Sequence, residues 1–208
     1  MIVSKRDNFY KIRLNGLNRW RDIRLSVNGE NLPQLYKDNN ISNNDMFFAK
    51  GKFFLFILLT KNKGLKILYR KDFKHRGVQD KNIADMEFRK KQLKNIIKIQ
   101  KIFHSYGAAF DCEEHIFTVS IFDDETNIEE EFLAYITNTD TDINKDIEEK
   151  DLVKVSETIF NIMKKEKISR YTTQDRMKKE NYVTTSNGDI KLVDIDTRHY
   201  FTNKKENR

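Results

Sequence analysis

At 208 residues the chain is long enough for one domain with a real core, or for two small lobes sharing a cleft; its 38% hydrophobic and 34% charged content excludes a disordered chain. The single cysteine, Cys112, excludes an internal disulfide framework and fits a reducing compartment. Net charge is +7, from 39 basic and 32 acidic residues, a balance that favours anionic partners: nucleotides, phosphorylated glycans, acidic lipid headgroups or nucleic acid.

Met1 to Tyr10 is charged and has no apolar core of a targeting peptide. The longest apolar run, Phe53 to Leu59, is far short of the roughly 20 residues a membrane helix needs. The expectation is a soluble, cytoplasmic protein, at most peripheral to a membrane, with no integral membrane segment. Cys112, Glu113, Glu114 and His115 are adjacent but lack the spacing of a structural zinc site.

In chain order, Tyr10 to Leu14 and Ile23 to Val27 alternate at period two and predict strands, and Asn39 to Asn44 predicts a loop. Phe53 to Leu59 predicts a strand, Lys61 to Gly64 a hairpin turn, and Leu65 to Tyr69 the returning strand, interrupted at Lys66. Ile83 to Phe103 predicts a helix, with Ile83, Met86, Leu93, Ile96, Ile97 and Phe103 at three- and four-residue spacings, ended by Gly107. Ala108 to Phe122 reads as two strands, and the acidic run Asp123 to Glu131 leads into a short helix through Phe132 and Leu133. After a polar loop, Asn138 to Asp146, a second amphipathic helix is predicted from Leu152 to Met163, with Leu152, Val155, Ile159, Ile162 and Met163 on one side. Tyr182 to Thr184 and Ile190 to Val193 form a hairpin around Ser186 to Asp189, and the polar tail after Tyr200 is expected to fray. The order of elements is α+β.

The chemistry concentrates between Asp175 and Asp196. An asparagine, a short hairpin and an aspartate can hold two hard oxygen ligands on one cation, the coordination that Mg²⁺ on a nucleotide takes. Asn181 and Asp194 stand at those two strand ends, and the upstream Asp175 is placed to accept a proton from a substrate hydroxyl. The plainer alternatives are a surface hairpin with polar ends for Asn181 and Asp194, a loop carboxylate for Asp175, and an edge-strand lysine facing water for Lys66. His75, His104, His115 and His199 share no spacing with one another or with a nucleophile, and receive no role.

The segment resembles the protein-kinase superfamily. Lys179-Glu180-Asn181-Tyr182-Val183 falls where kinases have the catalytic-loop asparagine and the strand after it. Gly188-Asp189-Ile190-Lys191-Leu192-Val193-Asp194 falls where they have the strand leading to the metal-binding aspartate, and the interval matches without a gap. Upstream, Gly64-Leu65-Lys66-Ile67-Leu68 resembles the strand of the phosphate-anchoring lysine. The resemblance covers roughly Met46 to Phe201. It implies a protein-kinase-like two-lobed fold with a strand-rich N-lobe and N-terminal extension (1–122) and a reduced helical C-lobe (123–208). It also implies ATP and Mg²⁺ as cofactors, Lys66 on the phosphates, and Glu87 (or Asp85) orienting Lys66. Asn181 and Asp194 would hold the metal, Asp175 would be catalytic, and Ile121 to Glu125 would be the hinge that meets adenine.

The chain departs from that family at several points. Ala49-Lys50-Gly51-Lys52 stands where a glycine-rich loop would be, leaving Lys50 and Lys52 to supply charge to the phosphates. Asp175 lies one residue further from Asn181 than the family pattern, which puts Arg176 at the usual place, and no His-Arg pair precedes it. Asp194 is followed by Ile195-Asp196, and the chain ends too soon for a large substrate platform. Such an ending is similar to that of the lipopolysaccharide-core sugar kinases and small bacterial effector kinases. The expected acceptor is therefore a sugar, a glycolipid or another anionic small molecule. The departures equally suit a pseudokinase that binds a protein partner. The basic run Arg89, Lys90, Lys91, Lys94, Lys98, Lys101 is compatible with nucleic acid, but acidic residues spread through the rest of the chain argue against that partner.

Overall fold

Phe54–Thr60 is rich in the aromatic and branched side chains that pack well on a pleated surface, and it forms the strand β5. It pairs antiparallel with β6 (Lys63–Leu68), with Phe54 opposite Leu68 and Thr60 opposite Lys63. Lys63 and Gly64, expected in the turn, are thus the first residues of the strand, and the register shifts between Leu58 and Thr60. The computed structural model describes residues 3–6, 9–13, 20–24, 48–50, 54–60, 62–68, 86–123, 128–140, 147–170, 177–195 and 199–201. The loop expected at Asn39 to Asn44 lies outside them.

The remaining strands of the main sheet are β1 (Val3–Arg6), β2 (Phe9–Arg13), β3 (Trp20–Arg24), β4 (Phe48–Lys50), β7 (Cys112–Asp123) and β8 (Ile128–Asn138). Their order is β1-β2-β3-β7-β8-β6-β5-β4. β3 pairs antiparallel with β7, Arg24 opposite Ser120 and Arg21 opposite Asp123.

Three expectations for this region are corrected. Residues 112–123 are one long strand, not part of two. Phe132 and Leu133 lie in β8, not in a helix. Three consecutive glutamates at 129–131 favour a helix locally, but Phe132 to Thr137 are all buried, and a surface helix cannot bury six consecutive residues. Third, Ile121 to Asp123 are not a hinge but the end of β7, and Asp124 and Glu125 lie outside the described residues.

By its internal contacts the chain divides into two units, Met1–Lys90 with His115–Ile136, and Lys91–Glu114 with Thr137–Arg208. The boundaries differ from the expected break between residues 122 and 123. The first unit buries Leu55, Leu65, Ile67, Val119, Ala134 and Tyr135, with the Phe54 ring edge-on to Tyr135 at 6.3 Å. Arg89 is buried there as well, its guanidinium 5.9 Å from the centre of the Phe132 ring. It therefore does not belong to the solvated basic run of its helix.

That helix, α1 (Met86–Ser105), buries Leu93, Ile96, Ile97, Ile99, Gln100 and Phe103 within the second unit. Gln100 is tolerated among them because its amide donates to the carbonyl of Phe110 at 3.0 Å and to the hydroxyl of Thr137 at 2.7 Å. α1 stops at Gly107, whose φ of 72° lies in the left-handed region. Gly107 N–H donates to the His104 carbonyl at 2.7 Å and Ala108 N–H to that of Phe103 at 2.8 Å, so both terminal carbonyls are satisfied. A Cβ at Gly107 would meet nothing within 4 Å. Gly107→Ala is accordingly expected to cost only the backbone strain, about 1 kcal/mol. Urea unfolding measures it, and an unchanged midpoint would contradict the left-handed cap.

The second helix, α2 (Glu149–Lys165), has Glu149 and Asp151 in its first turn and Lys164 and Lys165 in its last, charges that complement the helix dipole. It buries Leu152, Ser156, Ile159, Ile162 and Met163; Ser156 turns inward where Val155 was expected. β9 (Ile168–Arg170) then pairs antiparallel with β12 (His199–Phe201), so Phe201, expected to begin the fraying tail, is paired with Ile168. The protein is α+β, and no helix among the described residues is long and apolar enough to cross a membrane.

Candidate functional site

The two candidate metal ligands stand at the hairpin of the second unit. A single 3-10 turn, Lys179–Asn181, leads into β10 (Tyr182–Thr184), which pairs antiparallel with β11 (Ile190–Leu192), Tyr182 opposite Leu192. Gly188, at φ 82°, allows the tight reversal, and Thr185 N–H donates to the Asp189 carbonyl at 2.8 Å. Beyond the paired strands, the carbonyl of Asn181 accepts the N–H groups of both Val193 (2.8 Å) and Asp194 (3.4 Å). The two candidate metal ligands are therefore brought close in the backbone at the open end of the hairpin, tied through one carbonyl oxygen.

This hairpin is not a free surface element. Asn181, Tyr182, Val183, Leu192 and Ile195 are buried, Asn181 to 4% exposure. Leu192 N–H donates to the Ala108 carbonyl at 2.8 Å, and Ala109 bridges Leu192 in parallel. The ammonium of Lys191 donates to the Gly107 carbonyl at 2.7 Å and pairs with Asp189 at 3.2 Å. At the turn, the N–H and hydroxyl of Ser186 both donate to one carboxylate oxygen of Asp140, at 2.9 and 2.7 Å. Asp140 was not singled out in the sequence. It is 46 residues from Ser186, and nothing local marks a polar loop aspartate as an anchor.

Chemically, the Asn181 amide and Asp194 carboxylate offer hard oxygens on a fixed frame. Mg²⁺ binds through one or two carboxylates, completing its shell with water and phosphate, so the donor set fits that ion. Among the described residues no group of three or more His, Cys, Asp or Glu side chains could hold a metal by itself. Cys112 is a buried thiol, its sulfur 3.8 Å from the Ile97 carbonyl oxygen. His104 has Nδ1 3.2 Å from the Ala109 carbonyl oxygen, and the His115 ring sits edge-on to Phe117 at 4.6 Å.

The remaining candidates fall in the first unit or outside the described residues. Lys66 lies opposite Phe56 in β6, which runs between β8 and β5, and it is only 8% exposed. It is therefore an interior-strand lysine, not an edge lysine facing water. Glu87, in the first turn of α1, has its side chain 82% exposed and 4.0 Å from Lys90. A carboxylate so far into water is a poor match for a buried ammonium. Asp85, the other candidate, lies outside the described residues, as do Lys52 and Asp175. Lys50 pairs with Leu55 across β4 and β5. Compared with protein-family models, curated proteins and solved structures, the chain matches none.

Proposed function

We propose that the protein is an ATP- and Mg²⁺-dependent phosphotransferase of minimal, two-lobed kinase-like fold, acting on a hydroxyl of a sugar, glycolipid or other small acceptor. The observation that carries the reading is the junction of Asn181 with Val193 and Asp194 through one carbonyl, because it holds the backbones of the two candidate ligand residues together at the end of the hairpin. The sequence of strand-borne lysine, helix, two strands, helix and hairpin supports it. When bound, Mg²⁺ would supply positive charge that offsets the charge developing on the transferred phosphate. Asn181 and Asp194 hold it, and Lys66 grips the phosphates with Lys50 and Lys52 nearby in sequence. Asp175 accepts the proton of the acceptor hydroxyl.

The exposure of Glu87 favours a second reading, a pseudokinase that binds nucleotide or a protein partner without turnover. Thermal shift with ATP, with and without Mg²⁺, followed by an assay of ATP hydrolysis, separates the two. A metal-dependent rise in Tm with hydrolysis supports the enzyme; a rise without hydrolysis supports the pseudokinase; no rise sinks both nucleotide readings.

Lys66→Met gives a separate check. Replacing a buried charge by an apolar side chain of similar length is often neutral or stabilising. The variant is expected to keep or raise the Tm of the free protein and to weaken ATP binding about tenfold or more, the loss of one charge-assisted phosphate contact. Unchanged ATP affinity would remove Lys66 from the site.

A further inference from the structure

α1 carries a feature that the phosphotransferase reading leaves unused. Lys91, Lys94, Lys98 and Lys101 recur at three- and four-residue spacing, a single stripe roughly 15 Å long at 1.5 Å per residue. From Phe88 to Ser105 the helix contains no acidic residue, so like charges stand at adjoining turns, an arrangement that destabilises a helix. Lys91, Lys94 and Lys98 are exposed.

Along this stripe runs an open groove of about 560 Å³, lined by Lys94, Lys98, Lys101, Ile97, Ile102 and Glu114. Among the described residues Glu114 is the only acid in it, 3.4 Å from Lys101. Ile97 and Ile102 give the lining apolar surface, to which the lysine stems can add. All these residues belong to the second unit.

We infer that this groove docks the protein on an anionic phospholipid surface, the lysines taking headgroup phosphate or carboxylate and the apolar lining taking the hydrocarbon beside it. Charge complementarity selects an anion. The apolar lining between the charges favours phosphate next to hydrocarbon over a nucleic-acid backbone, which offers sugar there, and among the described residues no aromatic side chain lines the groove to stack on a base. The inference does not depend on nucleotide binding.

Co-sedimentation of the full chain with phosphatidylcholine vesicles, with and without phosphatidylserine, tests it. Binding is expected only with phosphatidylserine and is expected to weaken as salt rises. Each lysine neutralised should reduce binding about fivefold, so Lys94→Gln, Lys98→Gln and Lys101→Gln together should reduce it about a hundredfold. Glu114→Gln should tighten binding, an outcome that a structural role for the Lys101–Glu114 pair alone does not produce. Lys150→Gln with Lys154→Gln, exposed lysines on α2, should leave it unchanged. Equal binding to neutral vesicles, an equal loss in the α2 variant, or tighter stripe-dependent binding to an oligonucleotide or to soluble glycerophosphoserine would overturn the inference. Circular dichroism melting confirms that each variant is folded.

Discussion

Asp194→Ala is expected to abolish the Mg²⁺-dependent part of the stabilisation by ATP while leaving the hairpin in register. The register is held by backbone groups: the Asp194 N–H reaches the Asn181 carbonyl at 3.4 Å, and Val193 N–H reaches it at 2.8 Å, with or without the carboxylate. The loss is therefore one of ligation. At ATP·Mg²⁺ about a hundredfold above its Kd the parent gains about 2.7 kcal/mol. For a chain of this size that corresponds to roughly 5–10 °C in Tm, of which the variant should lose the part that depends on Mg²⁺. Asp189→Ala is the matched control. Its carboxylate is at the turn end of the same hairpin, largely exposed and paired with Lys191, and its removal should keep the metal-dependent shift. If Asp194→Ala retains the parent's shift, the pair is not a metal site, whatever else binds nucleotide.

Tyr135→Ala should be the most destabilising of these substitutions, about 3–5 kcal/mol, by the lost transfer energy of an aromatic side chain plus the cavity left behind. Tyr135 is fully buried in β8, and its ring meets Phe54 edge-on. Glu131→Ala, exposed in the same strand, should stay within about 0.5 kcal/mol. Urea unfolding of the two variants reads the burial directly. Near-equal effects would restore a solvated helix after the acidic run and remove the strand between β7 and β6.

Two hairpins were legible because their signals are local. The aromatic run Phe54–Thr60 followed by Lys63–Leu68 specifies strands and a turn from neighbouring residues alone. The hairpin Tyr182 to Leu192 is similarly read from short alternating runs around Gly188. The end of α1 was legible at Gly107 because a left-handed cap needs a residue without Cβ. The 128–138 segment was not. Its glutamates and its apolar run point to different structures, and pairing with strands remote in sequence decides between them. The misplaced hinge followed from that one error.

For the candidate site the same division holds. Asn181 and Asp194 could be singled out as the ends of one hairpin by spacing alone. That spacing could not say that Asn181 is buried, that its carbonyl takes two N–H groups, or that Asp140 anchors the turn through Ser186. Nor could it separate Lys66, inside a sheet, from Arg89, buried on a helix otherwise lined with solvated lysines. By itself the sequence determined the α+β class, the stop of α1 at Gly107 and the two hairpins, since these depend on residues a few positions apart. Only the tertiary structure decided which charged side chains are taken out of water, because burial is set by neighbours brought together from distant parts of the chain.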